Sequence, residues 1–523
     1  MHRPAQRLLH LTALAALVGL IAGGAAWVLL RLIALITNLA LFHQFGWTSP
    51  SFSTLHRSPL IIVAAVCGGL LVSLLALWSP VIRGHGIPEA MEAVLTKHSR
   101  IQPRTAIAKP LSAAISIGTA GPFGAEGPII VTGGAIGSLI GQVLPMTASE
   151  RKILLASGAA AGMSATFGTP LAAVVLVIEL LLFEFSTRAF IPLVVASAVA
   201  GGMHAAIFGS GPFFAIPDHR FSGLGTLPAF AVLGLVAGLL AVVVAKGLFF
   251  VEGLYRRLPV HEFWHPVIGA IAFATVGLIA PRSLGVGYDA ITDVLSSRLT
   301  LGTIAVLASV KLVVWWLALG SGTSGGTLAP LLLISAGFGS LFGAAATKLI
   351  PNIGVSQGAF ALVAMAAVFG AATRAPFASI IFVFELTGDY KAILPLMVAT
   401  VMADLVAEAL LDDSLMTEKL SRRGLRVHSE LEVDALRTLP VAEVMTTIEP
   451  VAHDGSRCVA PDDVAIVALE VMLEEGVDAL PVVEGGMLVG LCTPATIIRA
   501  RAERFDHERV QPGWVTRAPK RRT

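Results

Sequence analysis

Residues 118–128 read Gly-Thr-Ala-Gly-Pro-Phe-Gly-Ala-Glu-Gly-Pro, and residues 320–330 read Gly-Ser-Gly-Thr-Ser-Gly-Gly-Thr-Leu-Ala-Pro. Both are glycine-rich loops closing on a proline near a helix start, where no backbone N–H is needed. They lie 202 residues apart. Downstream, the run Thr169-Pro170-Leu171-Ala172-Ala173-Val174-Val175-Leu176-Val177-Ile178-Glu179-Leu180 aligns with Ala375-Pro376-Phe377-Ala378-Ser379-Ile380-Ile381-Phe382-Val383-Phe384-Glu385-Leu386 at an offset of 206. Two neighbouring segments at nearly one offset predict two similar halves, about 60–210 and 225–412, with the working site where they meet.

Composition places those halves in a bilayer. Of 523 residues, 55% are hydrophobic and 13% charged, with a mean hydropathy of +0.82. A soluble domain carries about twice that charge density, so a soluble enzyme, a nucleic-acid binder and a disordered scaffold are all disfavoured. The net charge of +2 suits no polyanionic partner. Charge is also uneven: residues 413–523 hold 32 of the 70 charged side chains, about 29% of that stretch against about 9% of residues 1–412. The pattern predicts a large membrane domain and a charged soluble tail.

Apolar stretches recur over 8–42, 59–79, 104–118, 127–145, 152–185, 188–208, 225–252, 264–281, 300–319, 328–350, 357–387 and 389–411. Several fall short of the ~20 residues of a straight span, and Gly or Pro interrupts others. Broken helices survive at membrane depth only where their freed backbone is buried or lines a polar cavity, which points to a transporter or channel. The first stretch is too long for a signal-peptide core and reads as a retained membrane helix, with basic His2, Arg3 and Arg7 on the inner side. Cys67, Cys458 and Cys492 show neither metal-ligand spacing nor a disulfide framework. Cys67, in an apolar run, is expected to be buried.

Three loops share one design: Gly84-His85-Gly86-Ile87-Pro88-Glu89, Gly124-Ala125-Glu126-Gly127-Pro128 and Gly325-Gly326-Thr327-Leu328-Ala329-Pro330. A helix start offers free N–H groups and the positive end of a dipole. Several converging starts would hold an anion without a full positive charge, loosely enough to release it. Glu126 sits inside one such loop. A carboxylate at membrane depth is costly, so a gate or proton carrier is the expected role, with a simple helix cap as the plainer reading.

These loops, with the stretch Met365-Ala366-Ala367-Val368-Phe369-Gly370-Ala371-Ala372-Thr373-Arg374-Ala375-Pro376 leading to Phe384-Glu385-Leu386-Thr387-Gly388-Asp389-Tyr390, resemble the CLC chloride channels and transporters over roughly residues 10–425. The resemblance implies an all-α polytopic membrane protein, an inverted repeat of tilted, discontinuous helices. It implies a homodimer with one anion pathway per subunit, and both termini in the cytoplasm, in keeping with a bacterial inner membrane. Its anion would be chloride or a similar small ion, with protons as a second cargo in coupled members. It assigns anion binding to Gly84, His85, Gly86, Ile87, Pro88, Gly124, Gly127, Pro128, Gly326, Thr327, Leu328 and Met416, and gating to Glu126.

Five positions depart from the family pattern, one of them Leu328, where the family often has Phe and the anion-coordinating backbone amide survives the change. His85 replaces the usual Ser, whose hydroxyl contacts the central anion. Met416 replaces an inner-gate Tyr and cannot donate a hydrogen bond. Ala125 replaces an Arg beside the gating glutamate. Leu180 replaces the inner proton-delivering glutamate of coupled members; Glu179 lies just before it and Glu184 one turn after. Leucine cannot relay a proton, so the departures point to channel-like or weakly coupled transport, with a proton antiporter using another inner route as the alternative.

The tail resembles a single CBS domain over 426–507, followed by a basic end at 508–523. The resemblance rests on Val444-Met445-Thr446, Gly476-Val477-Asp478-Ala479-Leu480-Pro481-Val482-Val483 and Gly490-Leu491-Cys492-Thr493. A helix is expected over 464–476, strands over 479–483 and 487–491, and a short charged helix over 497–507. Where nucleotide-binding units carry Thr-x-x-Asp, the chain has Thr493-Pro494-Ala495-Thr496. A structural or regulatory module is therefore expected in preference to an adenine-nucleotide site. An intramembrane hydrolase lacks a nucleophile–base arrangement and a His-Glu-x-x-His motif in this sequence. A cation transporter would want acidic clusters, not helix starts. No enzyme activity, cofactor or metal is expected.

Overall fold

Proline and glycine cut the membrane part of the chain into helices of very unequal length. The computed structural model describes residues 2–183, 185–217, 219–221, 223–425, 439–452 and 458–500. The chain forms two units, 1–429 and 430–523, whose divide falls outside the described residues. The first unit begins with α1 (His2–Leu41), α2 (Leu60–Trp78), α3 (Ile87–Thr96), α4 (Pro103–Gly118), α5 (Glu126–Val143), α6 (Ala148–Phe167), α7 (Pro170–Val177) and α8 (Thr187–Phe208). It continues with α9 (Leu227–Arg256), α10 (His265–Gly277), α11 (Tyr288–Leu295), α12 (Leu301–Gly320), α13 (Leu328–Leu349), α14 (Gln357–Thr373), α15 (Pro376–Thr387) and α16 (Ile393–Leu410), and ends on the short α17 (Glu418–Arg422).

The second eight helices repeat the packing of the first. Helix α1 lies against α4, α6 and α8, as α9 lies against α12, α14 and α16. Partners from opposite sets also meet: α2 packs on α10, and α7 on α15. The first set thus starts at α1 and not near residue 60. The apolar stretches 152–185 and 357–387 are each two helices. Gly168 and Arg374 end α6 and α14 in the left-handed conformation (φ 67° and 58°), and Pro170 and Pro376 open α7 and α15.

Among the described residues, seven helices are long and apolar enough to cross a membrane, while α7, α14 and α15 are apolar but shorter. The core sits along α5, α6, α13 and α14, and every residue of α14 after Gln357 is buried. Outer helices expose apolar side chains such as Leu60, Val63 and Leu77 on α2. A helix apolar on every side is either a membrane span or, like α14, buried in a large core. The same property hides which face turns inward, and so Cys67, expected to be buried, is exposed on α2.

In the second unit, three antiparallel strands, β1 (Thr446–Ala452), β2 (Leu480–Glu484) and β3 (Met487–Cys492), take the order β1-β3-β2. Helix α18 (Val441–Val444), α19 (Ala465–Glu475) and a helix starting at Pro494 complete the α/β unit. Leu439, Val441, Ala468, Met472, Val482 and Cys492 form its core. Burial raises the Cys492 thiol above its ordinary range, with a hydrogen bond to Thr496 opposing it in part, so it stays a protonated core residue. The expected charged helix starts earlier than residue 497. Its extension past residue 500, like the basic end at 508–523, lies outside the described residues.

Candidate functional site

The three glycine loops meet. Gly124 N–H donates to Gly326 O at 3.3 Å and Gly326 N–H donates to Gly124 O at 2.8 Å, an isolated antiparallel pair. These glycines occupy equivalent places in the two halves, so the exchange marks a local two-fold axis. Side chains are excluded there: a Cβ on Gly326 would stand 2.5 Å from Gly124 O. The third loop joins through Gly325 N–H, which donates to Gly84 O at 3.4 Å. Gly127 closes the cluster, since a Cβ there would stand 2.2 Å from His85 O. The starts of α3, α5 and α13 are thereby gathered around one spot, bringing together Gly84 to Pro88, Gly124 to Pro128 and Gly326 to Leu328.

Glu126 is the first residue of α5 and is fully buried. Its carboxylate lies over Gly124 and against Gly326, where a Cβ would stand 1.7 Å and 2.7 Å, respectively, from Oε2. The N–H groups of Glu126 and Ala329, from the starts of α5 and α13, face it, as does the Lys311 ammonium. Among the described residues Oε2 lacks a hydrogen-bond partner. Oε1 accepts a bond from the Tyr288 hydroxyl at 2.6 Å. Ala125 therefore does not leave the carboxylate without a cation nearby: α12 supplies Lys311.

Two buried lysines hold the loops flanking this spot. Lys109 on α4 donates to Ile82 O at 2.8 Å and Gly84 O at 2.7 Å. Lys311 on α12 donates to Gly285 O at 2.7 Å and Val286 O at 3.4 Å. Each lysine clamps a Gly-x-Gly loop whose second glycine, Gly86 (φ 91°) or Gly287 (φ 90°), adopts the left-handed conformation that leads into α3 or α11.

His85 is buried, and its Nδ1 lacks a hydrogen-bond partner among the described residues. The ring stands near the backbone of Leu415 and the ammonium groups of Lys419 and Lys109. Next to Leu415, Met416 is buried and donates its N–H to Ser414 Oγ at 3.2 Å. Leu415 N–H in turn donates to Ala372 O at 2.9 Å, docking this turn on the end of α14. Lys419 reaches over Gly84, whose Cβ would stand 2.4 Å from Nζ. It borders a cavity of about 940 Å³ lined also by Arg83, Lys97, Glu252, Arg422 and Arg423. Thr327 and Leu328, at the start of α13, are buried.

The two repeat-related glutamates are helix caps across the halves. Glu179 Oε2 accepts from Ala378 N–H at 2.8 Å, at the start of α15. Glu385 accepts from Leu171 N–H at 3.1 Å and Ala172 N–H at 2.7 Å, at the start of α7. Leu180 is buried and, with Glu179, Asp412 and Asp413, lines a cavity of about 70 Å³. Glu184 lies outside the described residues. In the tail, Thr493 and Thr496 cap one another: each hydroxyl accepts the other's N–H, at 3.2 and 3.1 Å.

Tyr288, Lys109 and Lys311 escape the sequence reading. The signal that finds them is the repeat carried further, since Gly84-His85-Gly86-Ile87 matches Gly285-Val286-Gly287-Tyr288 and Lys109 matches Lys311 at offsets of 201 and 202.

The sequence profile of the family described as "Voltage gated chloride channel" matches residues 64–408, and that of the CBS domain matches residues 441–503. The chain is similar to the H(+)/Cl(-) exchange transporter ClcA of Vibrio campbellii, at 30% identity over 396 residues, 74% of this chain and 83% of the relative. It is similar to a putative chloride channel protein, ClcB-like, of Ralstonia nicotianae, at 27% identity over 369 residues, 69% of this chain and 85% of the relative. Among solved structures it is similar to a slow cyanobacterial Cl-/H+ antiporter, with 26% identity and a TM-score of 0.70, over 80% of this chain and 97% of that one.

Proposed function

The chain belongs to the voltage gated chloride channel family, and we propose that it carries chloride past the meeting point of α3, α5 and α13, with Glu126 as the gate. One observation carries this reading: a buried carboxylate occupies the gap between two helix starts, with one oxygen lacking a partner among the described residues. Those N–H groups favour negative charge of either origin. Chloride passes when the Glu126 side chain swings away or takes up a proton and stops competing. His85, with the Lys419 ammonium and the α3 start beside it, would hold the ion on the α17 side of Glu126. Leu180 keeps the inner proton route weak, so transport is channel-like or loosely coupled.

A second reading, proton-coupled antiport, draws on the exchangers among the similar proteins and on the Glu179, Asp412 and Asp413 cavity beside Leu180. One experiment separates the two and tests the gate. Proteoliposomes carrying the protein or its Glu126→Gln variant are given a chloride gradient while chloride and proton movements are followed together. The expected result is chloride flux that steepens with acid in the natural protein, is flat with pH in the variant, and draws few protons. Proton uptake in fixed proportion to chloride favours antiport, and equal pH dependence in both forms rejects Glu126 as the gate.

Two copies would assemble in the membrane, as the resemblance implies, with both ends in the cytoplasm. The basic residues around Arg7 and from Lys419 to Arg426 support that orientation. The tail is proposed as a dimerisation or regulatory module, since Thr496, where a nucleotide site would carry Asp, is engaged in capping its own helix.

A further inference from the structure

We propose that Tyr288 is a latch for the gate: a positioning residue whose hydroxyl holds the Glu126 carboxylate in the gap between α5 and α13. The inference rests on the gate reading of Glu126 and goes beyond it. The Tyr288 hydroxyl donates to Glu126 Oε1 at 2.6 Å. A bond from a neutral donor to a carboxylate is about twice as strong as one between neutral groups, so it favours the ionised, blocking side chain.

The latch is fixed, whereas the carboxylate is carried by a flexible side chain. The Tyr288 ring packs edge-on against Phe167, Phe213 and Phe214, with centroids 6.0, 5.0 and 6.3 Å away. Its loop is clamped by Lys311 through Gly285 O. Glu126 has three rotatable side-chain bonds and no ion pair to a side chain among the described residues. When its carboxylate turns, the hydroxyl cannot follow and the bond breaks.

Position makes the latch accessible. Tyr288 forms part of the wall of a cavity of about 450 Å³ lined also by Arg31, Trp47, His204 and Phe208. The ring therefore stands between that space and the gate. Charged or titratable groups around the pair are Lys311 from α12, near both Glu126 and Asp289, Asp289 itself next to Tyr288 on α11, and Arg31 from α1 and His204 from α8 in the cavity; α5 and α13 present backbone N–H groups. The tyrosine has no twin, because the equivalent position in the first half is Ile87.

The test compares chloride efflux from proteoliposomes at pH 4.5 and 7.5 for the natural protein, Tyr288→Phe, Glu126→Gln and the double variant. Phenylalanine keeps the ring contacts and removes only the hydroxyl. Tyr288→Phe is expected to raise efflux at pH 7.5 relative to pH 4.5 by on the order of tenfold, the size of a hydrogen bond to a charged group. In the Glu126→Gln background the same substitution should do less, since the charge is gone. An unchanged pH ratio in Tyr288→Phe overturns the latch, and so does an equal effect in both backgrounds, which would place Tyr288 on the ion path or in the packing alone. A Glu126→Gln protein that keeps its pH dependence overturns gate and latch together. A flat Glu126→Gln profile with a silent Tyr288→Phe overturns the latch only.

Discussion

Lys109 and Lys311 occupy the same place in the two sets of eight helices, and each pins the carbonyls of a Gly-x-Gly loop. Gly124 and Gly326 are likewise matched, as are Glu179 and Glu385. At the centre the match fails. Glu126 is paired with Leu328, Tyr288 with Ile87, and His85 with Val286. The frame, its charged clamps and caps included, is thus shared, and the symmetry breaks at the side chains that stand at the meeting point itself, Glu126, Tyr288 and His85. A membrane interior explains the division. Frame polar groups can be satisfied in pairs, but a buried carboxylate at membrane depth costs several kcal/mol, and the centre has one where the repeat would allow two.

The largest effect should come from making the matched glycines unequal. In Gly326→Ala the new methyl meets backbone, Gly124 O at 2.5 Å, so two loops must separate. Overpacking of this kind costs about 1–3 kcal/mol or more, and thermal unfolding in detergent should show it. In Gly124→Ala the nearest atoms all belong to the Glu126 carboxylate, the end of a flexible side chain. That protein should fold near its natural melting temperature but with the Glu126 carboxylate, the proposed gate, displaced, seen as chloride flux that no longer varies with pH. Equal melting losses in both variants would mean that the carboxylate is as rigid as the backbone.

The convergence of α3, α5 and α13 is legible in the sequence because proline and glycine act locally. Pro88, Pro128 and Pro330 mark the helix starts, and the 202-residue offset says that two of the loops are equivalent. What each loop touches is not local. Tyr288 follows Gly285-Val286-Gly287, which shares only its two glycines with Gly84-His85-Gly86, so nothing adjacent in the chain points to Glu126, 162 residues away. Lys311 sits alone in an apolar run, and only the fold discloses the carbonyls that accept from it. Glu179 and Glu385 were visible as a matched pair, yet the capping of the opposite half's helix follows from the two-fold axis. Cys67 shows the converse limit, because a helix apolar all round carries no periodic mark of its inner face.

A smaller effect should separate the two lysines. Lys109 makes two short bonds, whereas Lys311 makes one short and one long. Hydrogen bonds to a charged group contribute about 1.5–3 kcal/mol each, partly offset by relief of burying the charge. Lys109→Met should therefore lower the melting temperature more than Lys311→Met. Function should divide the other way. Lys311 sets the loop that carries Tyr288 and faces Glu126, so its loss should alter the pH dependence of flux, while Lys109→Met should leave that dependence in place. Flux curves across pH for the two variants decide whether the clamps serve only the frame.

The smallest effect concerns the two caps. Glu385 takes two N–H groups at the start of α7 and Glu179 takes one at the start of α15. A lost cap costs about 0.5–2 kcal/mol, to which the helix dipole adds a few tenths. Glu385→Ala should thus lower the melting temperature more than Glu179→Ala, and glutamine, whose single amide oxygen accepts one bond, should restore most of the loss at Glu179 but only part of it at Glu385. The pair also bears on coupling, because Glu179 adjoins the cavity shared with Leu180, Asp412 and Asp413, whereas Glu385 does not line it. If both glutamates serve only as caps, Glu179→Gln leaves chloride and proton movements as they were. If Glu179→Gln instead abolishes proton movement while its melting temperature holds, the first half has turned its cap into a proton carrier, and the symmetry breaks at Glu179 as it does at Glu126.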